Sequence, residues 1–193
     1  MPGDDYMDGL AVQTAEQQQS RLYGKYRGLV TDVDDPDAMG RLKAKVPEVL
    51  HDGETPFAMP CVPFAGKDHG LALLPEVGDG VWIEFEAGDP SRPIWSGCWW
   101  SQEEGLPAPA STTIRVLATT AGHKIVIDED ADEIVVTHPG GAEVKLSSSG
   151  ISLTIGSSEI TMTGTDVTLK GGSGQVKLSA SGVSVNNGAL EVS

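Results

Sequence analysis

The sequence predicts an all-β protein in which a small barrel precedes a trimeric β-helix formed by three copies of the chain. Two observations support this fold class. Apolar and polar residues alternate in short runs along most of the chain, and Gly, Pro, Ser, Asn and Asp separate these runs. Alternation with a period of two is typical of strands with one buried face, and the separating residues are typical of turns.

The clearest repeat lies in residues 124–193. Apolar residues occur there as pairs separated by one residue, and the first members of successive pairs are seven to ten residues apart. The pairs are Ile125/Ile127, Ile134/Val136, Val144/Leu146, Ile151/Leu153, Ile160/Met162, Val167/Leu169, Val176/Leu178, Val183/Val185 and Leu190/Val192. An internal repeat of such short strand units predicts a β-solenoid or β-helix.

A single chain offers too little apolar surface to complete this structure. Ordering the backbone alone costs about 1–2 kcal/mol per residue, and each unit contributes only two or three apolar side chains. Three copies around one axis, each supplying one wall, would close a prism with no free lateral edge. The repeat pattern alone also allows a single-chain solenoid or an antiparallel sandwich. In the trimer, ten residues are expected to face the common axis: Ile151, Leu153, Ile160, Met162, Val167, Leu169, Val176, Leu178, Val183 and Val185.

The net charge limits which partners the protein can bind, and the N-terminal sequence and cysteine content indicate where it is made. The 193 residues include 13 Lys and Arg against 28 Asp and Glu, a formal net charge of −15. This excess argues against binding nucleic acid or an anionic membrane surface. The N-terminus shows no signal-peptide pattern, so synthesis in the cytoplasm is expected. Two cysteines, Cys61 and Cys98, favour buried free thiols and leave a single bridge open.

Residues 1–22 are expected to form an N-terminal arm. The segment is polar and includes a run of Gln at positions 17–19, and Ala11 to Leu22 can form a short helix with a weak apolar stripe. Two interpretations remain, a flexible leader and an arm that becomes ordered on a partner or on a second copy of the chain.

Residues 23–100 are predicted to form a closed barrel of five antiparallel strands, of the OB type. The runs YGKYRGLVTDV, RLKAKVPEV, VWIEFEAGD and IWSGCWW supply four strands, and the fifth is expected near residues 57–64. Alternation places Val81, Ile83 and Phe85 on the inward face. Trp99 and Trp100 are expected in the core or in a trimer contact. OB folds often bind oligonucleotides, but acidic residues outnumber basic ones here, so no nucleic acid is expected.

Three motifs occur in order along this chain: DPDAMGR, PEVGDGVWIEFEAGDPSRPI and GHKIVIDED. Over about residues 23–193 the chain therefore resembles the spike family of contractile injection systems. That family includes phage baseplate assembly protein V and the spike region of type VI VgrG proteins. The resemblance implies an OB domain beneath the baseplate hub, a trimeric β-helical needle, and a mechanical role in piercing the target envelope.

No residues are assigned to catalysis, to a cofactor or to a metal. Residues 101–123 are expected to be a linker, which is too short to hold the lysozyme-like domain that some relatives carry at this place. Asp32, Asp34 and Asp37 are similar to the carboxylates of a calcium loop, but Lys43 stands at the twelfth position, where an EF-hand needs Glu, so a turn is expected. The four histidines are widely spaced, without a metal-ligand pattern, and His123 is expected to be structural.

The expected function is a non-enzymatic, homotrimeric central spike of a contractile phage tail or a phage-tail-like injection particle. The needle is expected over residues 124–193, and its strand pattern continues to Val192. The resemblance implies a PAAR-type tip protein at this end, with Leu190 and Val192 as its docking residues. The alternative function is a trimeric adhesin or fibre module that binds surface glycans. Glycan binding without incorporation into baseplates would favour that alternative.

Overall fold

The computed structural model describes residues 21–192, and for Glu191 and Val192 it describes the backbone alone. The described chain is almost entirely β-structure, which confirms the predicted class. It divides into two compact units between Gly105 and Leu106. The arm expected at residues 1–22 lies outside the described residues except for Arg21 and Leu22. Among the described residues, no helix has the length and apolar character needed to cross a membrane.

The first unit is a closed barrel. Its elements are β1 (Tyr26–Asp32), β2 (Lys43–Lys45), α1 (Pro47–Leu50), β3 (Met59–Pro60), β4 (Ala65–Gly66), β5 (His69–Gly70), β6 (Gly80–Phe85) and β7 (Pro93–Trp99), with a 3-10 turn at Glu86–Gly88. Five strands form one sheet in the order β2-β1-β6-β7-β3. Bridges between Leu42 and Ala58 and between Lys45 and Glu54 join the two ends of this sheet, so the barrel closes.

One strand pairing differs from the prediction of five antiparallel strands. Strand β3 runs parallel to β7, with Met59 opposite Ile94, and the other pairings in the ring are antiparallel. The reason is topological. Strand directions cannot alternate all the way around a ring of five, so closure of the barrel requires at least one parallel pair. The prediction was therefore wrong at this pairing, although the number of barrel strands was right.

The barrel core consists of apolar side chains from alternate strand positions. Val81 and Ile83 are fully buried and Phe85 is 6 % exposed, which confirms the predicted inward face of β6. The other buried apolar residues are Val30, Leu42, Ala44, Val46, Ala58 and Trp95. The buried hydroxyl of Thr55 accepts a hydrogen bond from the Ala44 amide at 3.0 Å, so this polar atom is satisfied.

The second unit is one antiparallel sheet of ten strands in chain order. Its strands are β8 (Ile114–Ala118), β9 (Lys124–Asp128), β10 (Glu133–Thr137), β11 (Ala142–Ser147), β12 (Gly150–Ile155), β13 (Ser158–Met162), β14 (Val167–Gly171), β15 (Gly174–Ser179), β16 (Gly182–Val185) and β17 (Leu190–Val192), with a 3-10 turn at Asn186–Gly188. Each strand pairs with the strand before and the strand after it. A single chain is therefore neither a solenoid nor a two-sheet sandwich, and the trimeric β-helix stays a prediction.

The sheet begins earlier than the sequence indicated. Strand β8 lies within residues 101–123, the segment expected to be a linker, and it pairs along its whole length with β9. Arg115 interrupts the apolar pattern of β8, since it stands opposite Ile127, where the other strands carry an apolar residue. This substitution explains why alternation alone did not identify the strand.

Candidate assembly surface

The register of the sheet places the apolar pairs in two straight columns on one face, called here the apolar face. The first column is Ile125, Val136, Val144, Leu153, Ile160, Leu169, Val176, Val185 and Leu190. The second column is Ile127, Ile134, Leu146, Ile151, Met162, Val167, Leu178, Val183 and Val192. All ten residues predicted for the needle core belong to these columns. That they face a common axis stays a prediction.

The apolar face is accessible in the single chain. Leu153 is 41 % exposed, Met162 is 44 % exposed and Leu178 is 43 % exposed. Val144, Val167, Val176 and Val185 are half-buried. Monomeric soluble proteins rarely expose contiguous apolar patches larger than a few hundred Å². Two columns that run through nine strands form such a patch, so this face is a candidate surface for assembly.

Along the first column, from β8 to β14, the apolar face is concave, and this open concavity has a volume of about 840 Å³. Apolar side chains of the first column line it, among them Ile125, Val136 and Leu153. His123 and His138 also line it, and their ring centroids are 4.9 Å apart in an edge-on arrangement. The sequence alone gave no indication that these two histidines are in contact. Their contact follows from the register, because Lys124 pairs with Thr137 and the next pair outward is His123 with His138.

The opposite face of the sheet is polar from β11 onward, whereas β8 to β10 place Val116, Val126 and Val135 on it. Lys170 donates to Glu159 at 2.9 Å, Lys177 lies 3.4 Å from Asp166, and Lys145 contacts Glu133. The Lys170 ammonium holds the pKa of Glu159 below its ordinary value, and Glu133 raises the pKa of Lys145. These pairs lie at the surface and keep this part of the face hydrated, in contrast to the apolar face.

The DPDAMGR motif is a turn organised by Asp35. Its carboxylate accepts hydrogen bonds from the amides of Met39 at 2.7 Å and Arg41 at 3.1 Å, and from Nη2 of Arg41 at 2.6 Å. The guanidinium holds the pKa of Asp35 well below its usual range. Gly40 adopts a φ of 74°, which favours glycine, and its carbonyl accepts a bond from the buried Trp95 indole at 3.0 Å. The motif therefore fixes the turn to the barrel core.

Replacing Asp35 with Asn tests this role. Because its pKa is lowered in the folded state, the carboxylate stabilises the barrel above the unfolded-state pKa near 4, and this contribution is lost as the pH falls below it. We expect Asp35→Asn to lower the melting temperature at pH 7 and to flatten its decline between about pH 5 and pH 2. Thermal melts followed by tryptophan fluorescence measure both effects. Asp37→Asn, at an exposed partner of the same arginine, is the control; equal pH slopes for Asp35→Asn and the wild type would contradict the assignment.

The first of the three aspartates that were compared with a calcium loop, Asp32, has a different role in the structure. Asp32 accepts a hydrogen bond from Lys43 at 2.8 Å, so the residue that replaces the expected Glu neutralises the first carboxylate itself. The lysine also lowers the pKa of Asp32. Among the described residues, no three His, Cys, Asp or Glu side chains are grouped so that they could hold a metal ion.

The PEVGDGVWIEFEAGDPSRPI motif contains β6, whose inward side chains are core residues and whose Trp82 lies on the outer surface of the barrel beside Trp99. The Trp99 ring packs across Gly80, where an added Cβ would lie 2.6 Å from it, so glycine is required. Trp99 donates to the Val81 carbonyl at 3.1 Å, and Arg27 stacks on Trp99 and Trp82. Trp99 is half-buried and Trp100 is 63 % exposed, so neither joins the buried core and a trimer contact stays a prediction.

The two cysteines are free thiols, as their number indicated, but both are exposed, so the expectation that they were buried was wrong. Partial burial raises the pKa of the Cys98 thiol, so it is less reactive than an ordinary surface cysteine. No bridge joins Cys61 to Cys98 in the structure.

Two protein-family models match the chain. Residues 26–100 match the injector OB domain of type VI secretion systems and phage baseplates. Residues 114–173, which span β8 to β14, match the phage baseplate V C-terminal trimerisation domain. No curated protein matches the chain. The two matched ranges follow the barrel and the sheet in order and together cover more than two thirds of the sequence. The chain therefore belongs to the phage baseplate V family, as a baseplate spike component of a phage or a type VI secretion system.

Proposed function

We propose that this protein is the non-enzymatic, homotrimeric central spike of a contractile phage tail or a phage-tail-like injection particle. The apolar face carries this proposal, because it is accessible in one chain and its strands from β9 to β14 lie in the part that matches a trimerisation domain. Three sheets with their apolar faces turned inward would make a prism with a dry core and a hydrated exterior. The resulting trimer would carry three times the net charge of the chain.

The architecture suits a load-bearing needle. Adjacent strands lie about 4.8 Å apart, so a ten-stranded sheet extends roughly 45 Å along its hydrogen-bonding direction. Along that direction every strand is bonded to the next, and a packed core would resist bending. The needle would transmit the force of contraction to the target envelope, which it contacts transiently. The hub protein of the baseplate would hold the OB domain.

A PAAR-type tip protein is the proposed partner at β17. Leu190 is 61 % exposed at the end of the first column, while the side chain of Val192 lies outside the described residues. We expect Leu190→Asp with Val192→Asp to abolish tip binding in a pull-down without dissolving the trimer, because most of both columns remains. Ser184→Asp, on the polar face of the neighbouring strand, is the control and should retain the tip. Tip binding by the double variant would show that the docking residues lie elsewhere.

Incorporation into particles tests the proposed function. Tagged protein should purify with a sheathed particle, and electron microscopy should show threefold density on the tube axis at the baseplate. Protein that never joins a particle but binds glycans on an array would support the adhesin instead. Hydrolysis of peptidoglycan by the pure protein would contradict the non-enzymatic assignment.

A further inference from the structure

The first strands of the sheet end in chemically different groups on their two sides. On one side, the turn from β9 to β10 carries five carboxylates, Asp128, Glu129, Asp130, Asp132 and Glu133, called here the acidic side. On the other side, His123 precedes β9 and His138 follows β10, and these two residues are called here the imidazole side.

The imidazole side is directed toward the apolar face. Both rings line the same concavity as Ile125 and Val136. The Gly140 amide donates to Nδ1 of His138 at 2.9 Å. In the neutral ring this bond places the proton on Nε2, so His138 presents a hydrogen-bond donor on the far side of the ring.

On the acidic side, Glu129 is directed toward the apolar face and Asp132 lies in the same turn. Glu129 contacts Nη1 of Arg115 at 2.8 Å, and Arg115 stands opposite Ile127 of the second column, so Glu129 is directed toward the apolar face. Asp132 lies in the same turn, just before β10, with a φ of 53°, so strand alternation does not define the direction of its side chain. Asp128 instead accepts bonds from amides of its own turn, and Glu133 pairs with Lys145 on the polar face.

Threefold symmetry decides which sides meet. Around a threefold axis, identical walls can close only head to tail, because a contact between like sides needs a twofold axis. Rotation about the axis also keeps equivalent strands at equal height. The acidic side of one wall therefore meets the imidazole side of the next wall at the level of β9 and β10.

We propose that, at each corner of the trimer, His123 and His138 of one chain bind the carboxylates of Glu129 and Asp132 of the next chain. This contact rests on the proposed homotrimer and identifies residues that would hold its chains together. The contact also fixes the axial register of the chains. The next turn on the acidic side, between β11 and β12, contains only Ser148 and Ser149, so a slip by one hairpin would leave the imidazoles without carboxylates.

Cross-linking of the full chain tests the pairing. With Cys61 and Cys98 replaced by Ser, a short bismaleimide should convert His123→Cys with Glu129→Cys into covalent trimers on a denaturing gel. Each single variant should stay uncross-linked, because like sides are a wall's width apart. Dimers from His123→Cys alone would show that like sides meet and would overturn the pairing.

Light scattering on the same samples separates the two claims. A trimer in which the double variant fails to cross-link would overturn the corner contact and leave the trimer standing. A monomer would overturn both.

An exchange of side chains gives a second readout. His123→Glu should lower the dissociation temperature of the trimer, and adding Glu129→His should restore it; a double variant as weak as His123→Glu would also overturn the pairing.

Discussion

Val167→Asp is expected to abolish the trimer. Val167 lies in the second column, between Met162 and Leu178 on the neighbouring strands. In the proposed prism the substitution brings three carboxylates to one level of the core, where burial of unpaired charge costs several kcal/mol or forces protonation. Sedimentation velocity should show monomers in place of trimers at micromolar concentration.

Thr168→Asp is the matched control for this prediction. Thr168 is the next residue of β14 and points to the polar face, where it stands opposite Lys177. The control protein should remain trimeric, since its new carboxylate stays in water near a lysine. A Val167→Asp protein that forms trimers as resistant to heat and detergent as the wild type would show that the apolar face does not turn inward.

Ile83→Ala is expected to reduce the free energy of unfolding of the barrel by about 2–5 kcal/mol, the usual cost of truncating a fully buried aliphatic side chain. Ile83 is fully buried. It packs closely against Gly28, because a Cβ added to Gly28 would lie only 3.0 Å from Cγ1 of Ile83. All four tryptophans of the chain belong to residues 82–100, so their fluorescence in urea reports on the barrel.

Glu84→Ala supplies the comparison for the barrel variant. Glu84 follows Ile83 on the outward face of β6 and pairs there with Lys25, an exposed contact of small value. The chain divides into two compact units, so the unfolding transition of the second unit should stay in place in both variants. Equal losses for Ile83→Ala and Glu84→Ala would contradict the assignment of Ile83 to the barrel core.

Alternation in the sequence predicted most strands and their faces, because the apolar or polar character of each residue determines which face of the strand it occupies. Val81, Ile83 and Phe85 alternate and are buried, and the pairs from Ile125 onward form two columns. Strand direction was harder to predict. The pair spacing of seven to ten residues leaves only short turns between five-residue strands, and short turns return the chain antiparallel. That spacing was evidence against a single-chain solenoid.

Long-range pairing accounts for the remaining differences. Nothing local to β3 indicates that it lies beside β7, since that contact is a consequence of barrel closure. To predict the contact between His123 and His138, one would need the register of β9 and β10. To predict the hydrogen bonds around Asp35, one would need the backbone path of a seven-residue turn. These features depend on the positions of distant or non-adjacent residues, which composition and period do not encode.

The mass of the full chain in solution tests the central claim, the homotrimer, most directly. One chain has a mass of 20.2 kDa. We predict that light scattering and native mass spectrometry give three times this mass at micromolar concentration, with no change on moderate dilution. A species of 20.2 kDa under the same conditions would contradict the trimeric spike.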